Sequence, residues 1–377
     1  ASSRPARHAD QRRDRARKKS RHGSPQPEQM TPFLFLSPLL AGVTTCPAAW
    51  RGHVAPRLQP VRAAVEDSAE PAPHRAGFVS IIGMPNVGKS TLMNRLVGER
   101  LAIMTPKAGT TRHRILGILN GDDYQLIYSD TPGIYSEPQY KLQEGMMAAV
   151  RGSLNDADLV LLVLDVFQQG WEDEAILRQV EAQACPLIVL LNKVDLLRDG
   201  SPLPQETLRR LGTEQELLDS WQQRFPQASV LPVSAETGEG TEALLARVRA
   251  CLPLHEPFFP KDQLTDRPER FFAAEMLREA IFTGYRQEVP YSCEVAITAF
   301  KELDEIIRVK ATIFVSHETQ QGIVIGRKGA ALKAVGSKAR KEMEAFFCKQ
   351  VYLQTSVKVR KDWRQDPAAL RDFGYTQ

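Results

Sequence analysis

The 377-residue chain has no run of about 18 apolar residues, so no hydrophobic helix long enough to span a bilayer is expected. Its five cysteines, Cys46, Cys185, Cys251, Cys293 and Cys348, are scattered and form no C-x-x-C pair. Neither a zinc site nor a disulfide framework is indicated, and a reducing compartment fits. The first 76 residues lack both helical and strand periodicity. What remains is ordinary for a globular chain, with 42% apolar and 25% charged residues. The length suits two domains and a tail.

The net charge of +4 hides an asymmetry. Between Gln321 and Arg364, eleven lysines and arginines face three acids, an excess of eight positive charges in one stretch. A polyanionic partner follows from that clustering, against a solvated basic helix face as the plain alternative.

Residues 1–76 divide into two compositions. Arg4 to Arg21 is rich in arginine and lysine and is expected to stay disordered. The first methionine is Met30, so residues 1–29 read as upstream sequence. From Met30 to about Ala64 the chain carries Ser, Thr, Ala, Arg and Pro but no acid, the composition of an organellar transit peptide. Val61 to Val65, "VRAAV", resembles a plastid cleavage site. The chloroplast stroma is the expected address and the mitochondrial matrix the alternative. A plain linker, or a secretory signal built on Phe33 to Val43, is the remaining reading.

The segment from Phe78, "FVSIIGMPNVGKSTLMNRLVG", carries the first chemistry. Phe78 to Ile82 reads as a buried strand, followed by Gly83-x-x-x-x-Gly88-Lys89-Ser90 and a helical pattern. Strand, glycine loop and helix are the context of a phosphate-binding loop. Backbone N–H groups from Asn86 and Val87 through Thr91 would close on phosphate oxygens. Lys89 would neutralise the β- and γ-phosphates, and the Ser90 hydroxyl would ligate Mg²⁺.

Four further elements follow in order. A threonine of "KAGTTRHR" would complete the Mg²⁺ shell, Thr111 being favoured over Thr110. Asp130 ends the alternating strand Tyr124 to Tyr128 and would reach Mg²⁺ through water, while the Gly133 N–H would meet the γ-phosphate. "LIVLLNKVD" ends in Asn192-Lys193-x-Asp195, where a carboxylate accepts both N1–H and N2–H of guanine. Adenine offers no such donor pair. The backbone at Ser234-Ala235 would donate to guanine O6. Five motifs in this order, each at a strand end, describe a GTPase. Strands near 78–82, 115–120, 124–129, 158–165, 187–192 and 229–233 alternate with helical stretches such as Leu142 to Leu154, Glu172 to Ala184 and Thr241 to Cys251. That order is a doubly wound α/β domain.

Leu252 to Arg270 is rich in proline and polar residues and reads as a linker. After it come a helix (Arg270 to Ile281), two alternating strands (Ser292 to Phe300, Ile306 to Ser316), two helical segments and a last strand (Tyr352 to Val359). Between the two helical segments lies Gly326-Arg327-Lys328-Gly329. In the order α-β-β-α-α-β, this G-x-x-G is the backbone clamp of an α+β, type II KH domain. Ile325 would line its apolar groove. Arg327 and Lys328 would pair with phosphates, and Lys333 and Lys338 would extend the contact. Single-stranded RNA is the natural ligand.

At this point the sequence is identified as a member of the Era family. The carriers are "GMPNVGKSTLMNRL", "TTRHRI", "DTPG", "NKVD" and "SAETGEG", then "VIGRKGAALKAVGSKAR" and "WRQDPAALRDFGY", over Gly77 to Tyr375. The resemblance implies a tail at residues 1–76, a GTPase domain at 77–253, a linker at 254–269 and a KH domain at 270–377. It implies a monomeric switch that binds GTP or GDP, hydrolyses GTP and engages the 3′ end of small-subunit ribosomal RNA during small-subunit maturation. The N-terminal extension departs from the bacterial pattern and points to an organelle.

The residue after Asp130-x-x-Gly133 is Ile134, where many GTPases carry a water-positioning glutamine. A hydrophobic residue here resembles the family's habit, so the charge must come from elsewhere. The resemblance to K⁺-stimulated GTPases implies that Asn86 helps to hold K⁺ against the phosphates. The alternative for Asn86 is a turn former that only shapes the loop. Lys89, Thr111, Gly133 and Asn86 are thus the expected catalytic set. His113 is expected to be structural rather than a base, and Trp363 and Tyr375 to be packing aromatics. Arg112 and Arg114 are left open between phosphate and RNA. The rival reading is an RNA-binding scaffold that holds GTP with negligible turnover, and Ile134 is its support.

Overall fold

The computed structural model describes residues 74–135, 137–168, 174–198 and 200–375. The transit-peptide reading lies outside the described residues. Among them, no helix is long and apolar enough to cross a membrane.

The first layer system runs β1 (Arg75–Ile82), α1 (Lys89–Val97), β2 (Ile115–Asn120), β3 (Tyr124–Asp130), α2 (Lys141–Asn155), β4 (Leu159–Asp165), α3 (Glu174–Glu181), β5 (Leu187–Asn192), α4 (Gln205–Leu211), α5 (Glu214–Arg224), β6 (Ser229–Pro232) and α6 (Thr241–Cys251). The strands form one six-stranded sheet in the order β2-β3-β1-β4-β5-β6, parallel except for β2 against β3. β4 is buried along its whole length, which is why it reads as an unbroken apolar run rather than an alternation. The loops that carry motifs leave the carboxyl ends of β1, β3, β5 and β6, and the threonine loop reaches the same edge by entering β2, whose Ile115 pairs with Asp130. A parallel sheet therefore gathers them at one edge, although they are far apart in sequence.

The second layer system holds α7 (Glu269–Gly284), α8 (Val289–Ser292), β7 (Glu294–Glu302), β8 (Ile306–Val315), α9 (Glu318–Ile325), α10 (Ala330–Phe347), β9 (Gln350–Val359) and α11 (Pro367–Asp372). Its three strands pair β7-β8 antiparallel and β8-β9 parallel. The helix α10 buries Val335, Ala339, Met343 and Phe347, spaced at i, i+4, so a single apolar stripe seals the sheet.

The proline-rich connector is irregular and strapped in place. It runs beside β2, the outer strand of the large sheet. Ile118 N donates to Leu264 O at 2.8 Å, and Lys261 Nζ caps the carbonyls of Gly121 and Asp122. The fully buried Gln125 accepts from Phe258 N at 2.7 Å and Phe259 N at 2.9 Å, and donates to Phe259 O at 2.7 Å. An exposed strand edge is a template for stray pairing, and the strap covers this one.

One apolar cluster continues from Leu92, Met93 and Val97 of α1 into Phe272, Met276 and Leu277 of α7, so the two layer systems share a core. His113 is wedged in this junction. Its ring stacks on Tyr375 at 4.3 Å and meets Phe271 edge-on at 5.7 Å. Burial pushes the imidazole down to about 4, against the pull of Glu275 and Glu294. The folded state therefore keeps His113 neutral, whereas the unfolded chain takes up a proton below about 6.5. Stability from this group is full above pH 6.5 and declines as the pH falls toward 4, by on the order of 3 kcal/mol. In urea unfolding at pH 7 and pH 5, His113→Phe should lose less stability than the native chain over that interval. An identical loss in both would contradict a buried neutral imidazole.

Candidate functional site

A cleft of about 280 Å³ opens at the carboxyl edge of the large sheet, between the loop 83–90 and the loop 103–111. Two glycines shape it. Gly88 has φ of +99°, and a Cβ there would lie 2.3 Å from the Asn192 amide nitrogen. A Cβ at Gly133 would press on Pro85 at 2.7 Å. Both positions need hydrogen in place of a side chain so that three loops can touch.

Lys89 is buried, and its ammonium bonds the carbonyls of Gly83 at 3.0 Å and Met84 at 2.9 Å. Desolvation pushes it down to about 8, partly offset by Asp130. A buried ammonium in such a place favours an arriving anion. Asp130 is fully buried, and burial pushes its carboxyl up to about 6 against the hydrogen bond from Ser90 and the charge of Lys89. Its Oδ2 accepts from Ser90 Oγ at 2.6 Å and from Thr111 Oγ1 at 3.5 Å, while the two hydroxyls lie 2.9 Å apart. Its Oδ1 is buried with no partner. An orphaned carboxylate oxygen beside two hydroxyls is a hard-oxygen set that suits Mg²⁺.

Thr111 and Thr110 are now distinct. Thr110 Oγ1 is engaged with Lys107 O at 2.7 Å and Thr105 Oγ1 at 2.5 Å, away from Ser90. Thr111 alone stands in the oxygen cluster. Asn86, with φ of +66°, has its amide nitrogen 3.2 Å from Pro106 O, so the phosphate loop and the threonine loop meet at the residue expected to face K⁺.

The base-recognition residues fall into two groups. Asn192 braces: its Nδ2 donates to Val87 O at 2.7 Å and its Oδ1 accepts from Ala235 N at 2.9 Å. Ser234 N is engaged with Glu239 O at 2.9 Å. Of the two amides expected to donate to guanine O6, Ser234 N thus closes its own loop and Ala235 N is tied to Asn192. Asp195 is different, since its Oδ1 is buried and unpartnered. Sequence reasoning missed Asp165, at the end of β4, which pairs with Lys193 at 2.7 Å and steers that ammonium onto Asn86 O at 2.8 Å. A carboxylate closing an otherwise apolar strand was the available signal.

Ile134 has a plain explanation. Its side chain is 1% exposed, within the cluster of Leu142, Met146 and Met147, and its amide donates to Gly83 O at 3.2 Å. It anchors the loop after β3 to the core and does not face the cleft.

In the second layer system, Gly326 (φ +71°), Lys328 (φ +51°) and Gly329 (φ +77°) make a tight left-handed turn between α9 and α10. A Cβ on Gly326 would lie 2.6 Å from that of Ala331. Arg327 and Lys328 project into solvent, and Lys333 follows on the first turns of α10. Ile325 is half-buried at the end of α9, and Ile323 beside it is 51% exposed, a large apolar group left on a basic surface. Lys338 departs from expectation. It donates to Thr283 Oγ1 on α7 at 2.9 Å, because five residues along a helix turn it roughly 140° from Lys333.

Residues 78–193 match the family described as 50S ribosome-binding GTPase, and residues 288–364 match the KH domain. GTPase Era of Syntrophus aciditrophicus is 43% identical over 307 residues, covering 80% of this chain and 96% of that protein. The chloroplastic GTPase ERA1 of Zea mays is 39% identical over 311 residues, covering 81% of this chain and 71% of that protein. The crystal structure of Era in complex with MgGDPNP and nucleotides 1506–1542 of 16S ribosomal RNA superposes with a TM-score of 0.73 at 37% identity, covering 81% of this chain and all of that one. Carrying a GTPase domain and a KH domain in this order, and matching such relatives over most of their length, the chain belongs to the Era family of GTPases.

Proposed function

We propose that the chain is a GTP-hydrolysing switch that binds the 3′ end of small-subunit ribosomal RNA and serves small-subunit assembly in a plastid. The division of labour is residues 77–253 for the nucleotide, 254–269 as connector and 270–377 for RNA, with 1–76 as the import extension. The observation that carries the reading is the coexistence of two built sites: the buried Lys89–Ser90–Thr111–Asp130 cluster and the exposed left-handed Gly326–Gly329 turn. The RNA-bound Era structure and the chloroplastic plant relatives support the ligand and the compartment.

The phosphate loop binds the triphosphate through its amides and Lys89, and Asp195 selects guanine. Ser90, Thr111 and Asp130 would hold Mg²⁺, which neutralises charge on the β- and γ-phosphates. Phosphoryl transfer needs positioning and charge more than a base. Gly133 N and the Thr111 backbone fix the attacking water, and His113, neutral and walled by aromatic rings, takes no part. Asn86 and the Pro106 carbonyl face each other where K⁺ would supply the charge that other GTPases draw from an arginine. Ile134 packs in the core and offers no group to the attacking water, so turnover in KCl is what separates the switch from the scaffold alternative.

Single-turnover hydrolysis should run faster in KCl than in NaCl, by 10-fold or more, on the order of 10³ at the upper end. Asn86→Ala should erase the difference, and equal rates in both salts would exclude K⁺ from the site. For RNA, replacing Arg327 and Lys328 with alanine should make the salt dependence of binding to a single-stranded rRNA 3′ end shallower by about 1.4 in log–log slope, two phosphates at about 0.7 each. Hydrolysis in KCl should persist. An unchanged slope would move the RNA site away from the turn.

A further inference from the structure

The oxygen of Thr111 lies beside Ser90 and Asp130, yet the contacts that hold its neighbours come from the second domain. Arg278, on α7 and 1% exposed, donates from Nη1 to Thr110 O. Its other nitrogens are locked onto Glu275, with Nε to Oε1 at 2.8 Å. On the far side of Thr111, Arg112 is 3% exposed. It reaches Glu294 Oε2 and Cys293 O, each at 2.9 Å, and Tyr291 O at 3.2 Å. Lys107, earlier in the same loop, caps the carboxyl end of α7 through Tyr285 O at 2.6 Å and Phe282 O.

The loop on the other side of the cleft is held in the same way. The cap residue of α2, Tyr140, makes no side-chain capping bond. The first amides of that helix instead donate to the C-terminal segment, Lys141 N to Gln365 Oε1 at 3.2 Å and Leu142 N to Arg364 O at 3.1 Å. Orphan N–H groups of a helix start are thus satisfied from outside the GTPase domain.

We infer that Arg278 is a positioning residue for GTP hydrolysis, supplied by the RNA-binding half of the chain, and that docking of α7 on the loop 105–112 completes the triphosphate site. The inference rests on reading the chain as a GTP-hydrolysing switch. Its physical basis is that Thr111 sits between two residues fixed by buried guanidinium groups, so it reaches the Mg²⁺ oxygen set only while α7 is docked. A loop of this kind matters for the triphosphate and little for GDP, because the γ-phosphate and its metal are what the threonine meets.

The test uses the full chain, with fluorescent GDP and a fluorescent non-hydrolysable GTP analogue as probes, beside single-turnover hydrolysis in KCl. Arg278→Met should slow hydrolysis by about 10²-fold. It should weaken the analogue by about 10-fold while leaving GDP affinity within about 2-fold. Arg278→Lys should recover part of the loss. Lys107→Met, at a half-buried position outside the oxygen cluster, should shift the analogue-to-GDP ratio in the same direction by a smaller factor. A native ratio in both variants, or equal losses of GDP and analogue, would overturn the inference. If the native chain itself failed to hydrolyse GTP, the switch reading would fall, and the analogue-to-GDP ratio would still decide the role of Arg278.

Discussion

Two guanidinium groups cut off from water set the terms of this structure. Arg112 leaves the GTPase domain and ends among Glu294 and the carbonyls of Tyr291 and Cys293, and Arg278 leaves the KH side and ends on Glu275 and Thr110. Burying a charge is costly unless it is paired and hydrogen-bonded, and removing one partner of such a pair costs about 3–5 kcal/mol. Separation of the domains would strip Arg112 of Glu294 and the carbonyls together, whereas Arg278 would keep Glu275 on its own helix and lose only Thr110 O. The rings of Phe282 and Trp363, at 5.6 Å and 5.7 Å from the Arg112 guanidinium, close the site and keep its dielectric low.

The functional consequence follows from where the two side chains sit along the chain. Thr110 and Arg112 flank Thr111, the hydroxyl that joins Ser90 and Asp130. One loop of a few residues thereby both borders the cleft and plugs the interdomain joint. The strap at residues 254–268 limits how far the second domain can travel, since it is bonded along β2 up to Arg267, which donates to Arg114 O at 2.6 Å. Coupling between sites requires an element whose arrangements nucleotide and RNA contact differently, and this joint is where the two domains meet.

Much of this was legible in the sequence, for definite reasons. Buried parallel strands read as apolar runs, so β4 and β5 could be placed within a residue and β1 at its carboxyl end, though it starts three residues earlier than expected, and motif residues fell at the carboxyl ends of β1 and β5. The two glycines around Arg327 and Lys328 forced the turn that they occupy. The rest depended on tertiary partners that no local pattern encodes. Arg112 looks like any loop arginine until Glu294, 182 residues on, is beside it. The connector looked loose because its bonds go to side chains such as Gln125, which alternates correctly for a strand and gives no sign of being buried. The helices α4 and α5 were not foreseen, since their faces are mostly exposed and polar. Ile134 was read by what it lacks, and the structure shows what it does instead: its side chain packs on α2.

A link between nucleotide state and RNA binding through this joint can be measured. The direct measurement is the affinity of the full chain for a single-stranded rRNA 3′ end when it is loaded with a non-hydrolysable GTP analogue and when it is loaded with GDP, at one fixed salt concentration. Binding should be tighter in the triphosphate state by at least about 5-fold, the lower end of typical coupling energies. Equal affinities in the two states would mean that the two domains, although packed through buried charge, act independently.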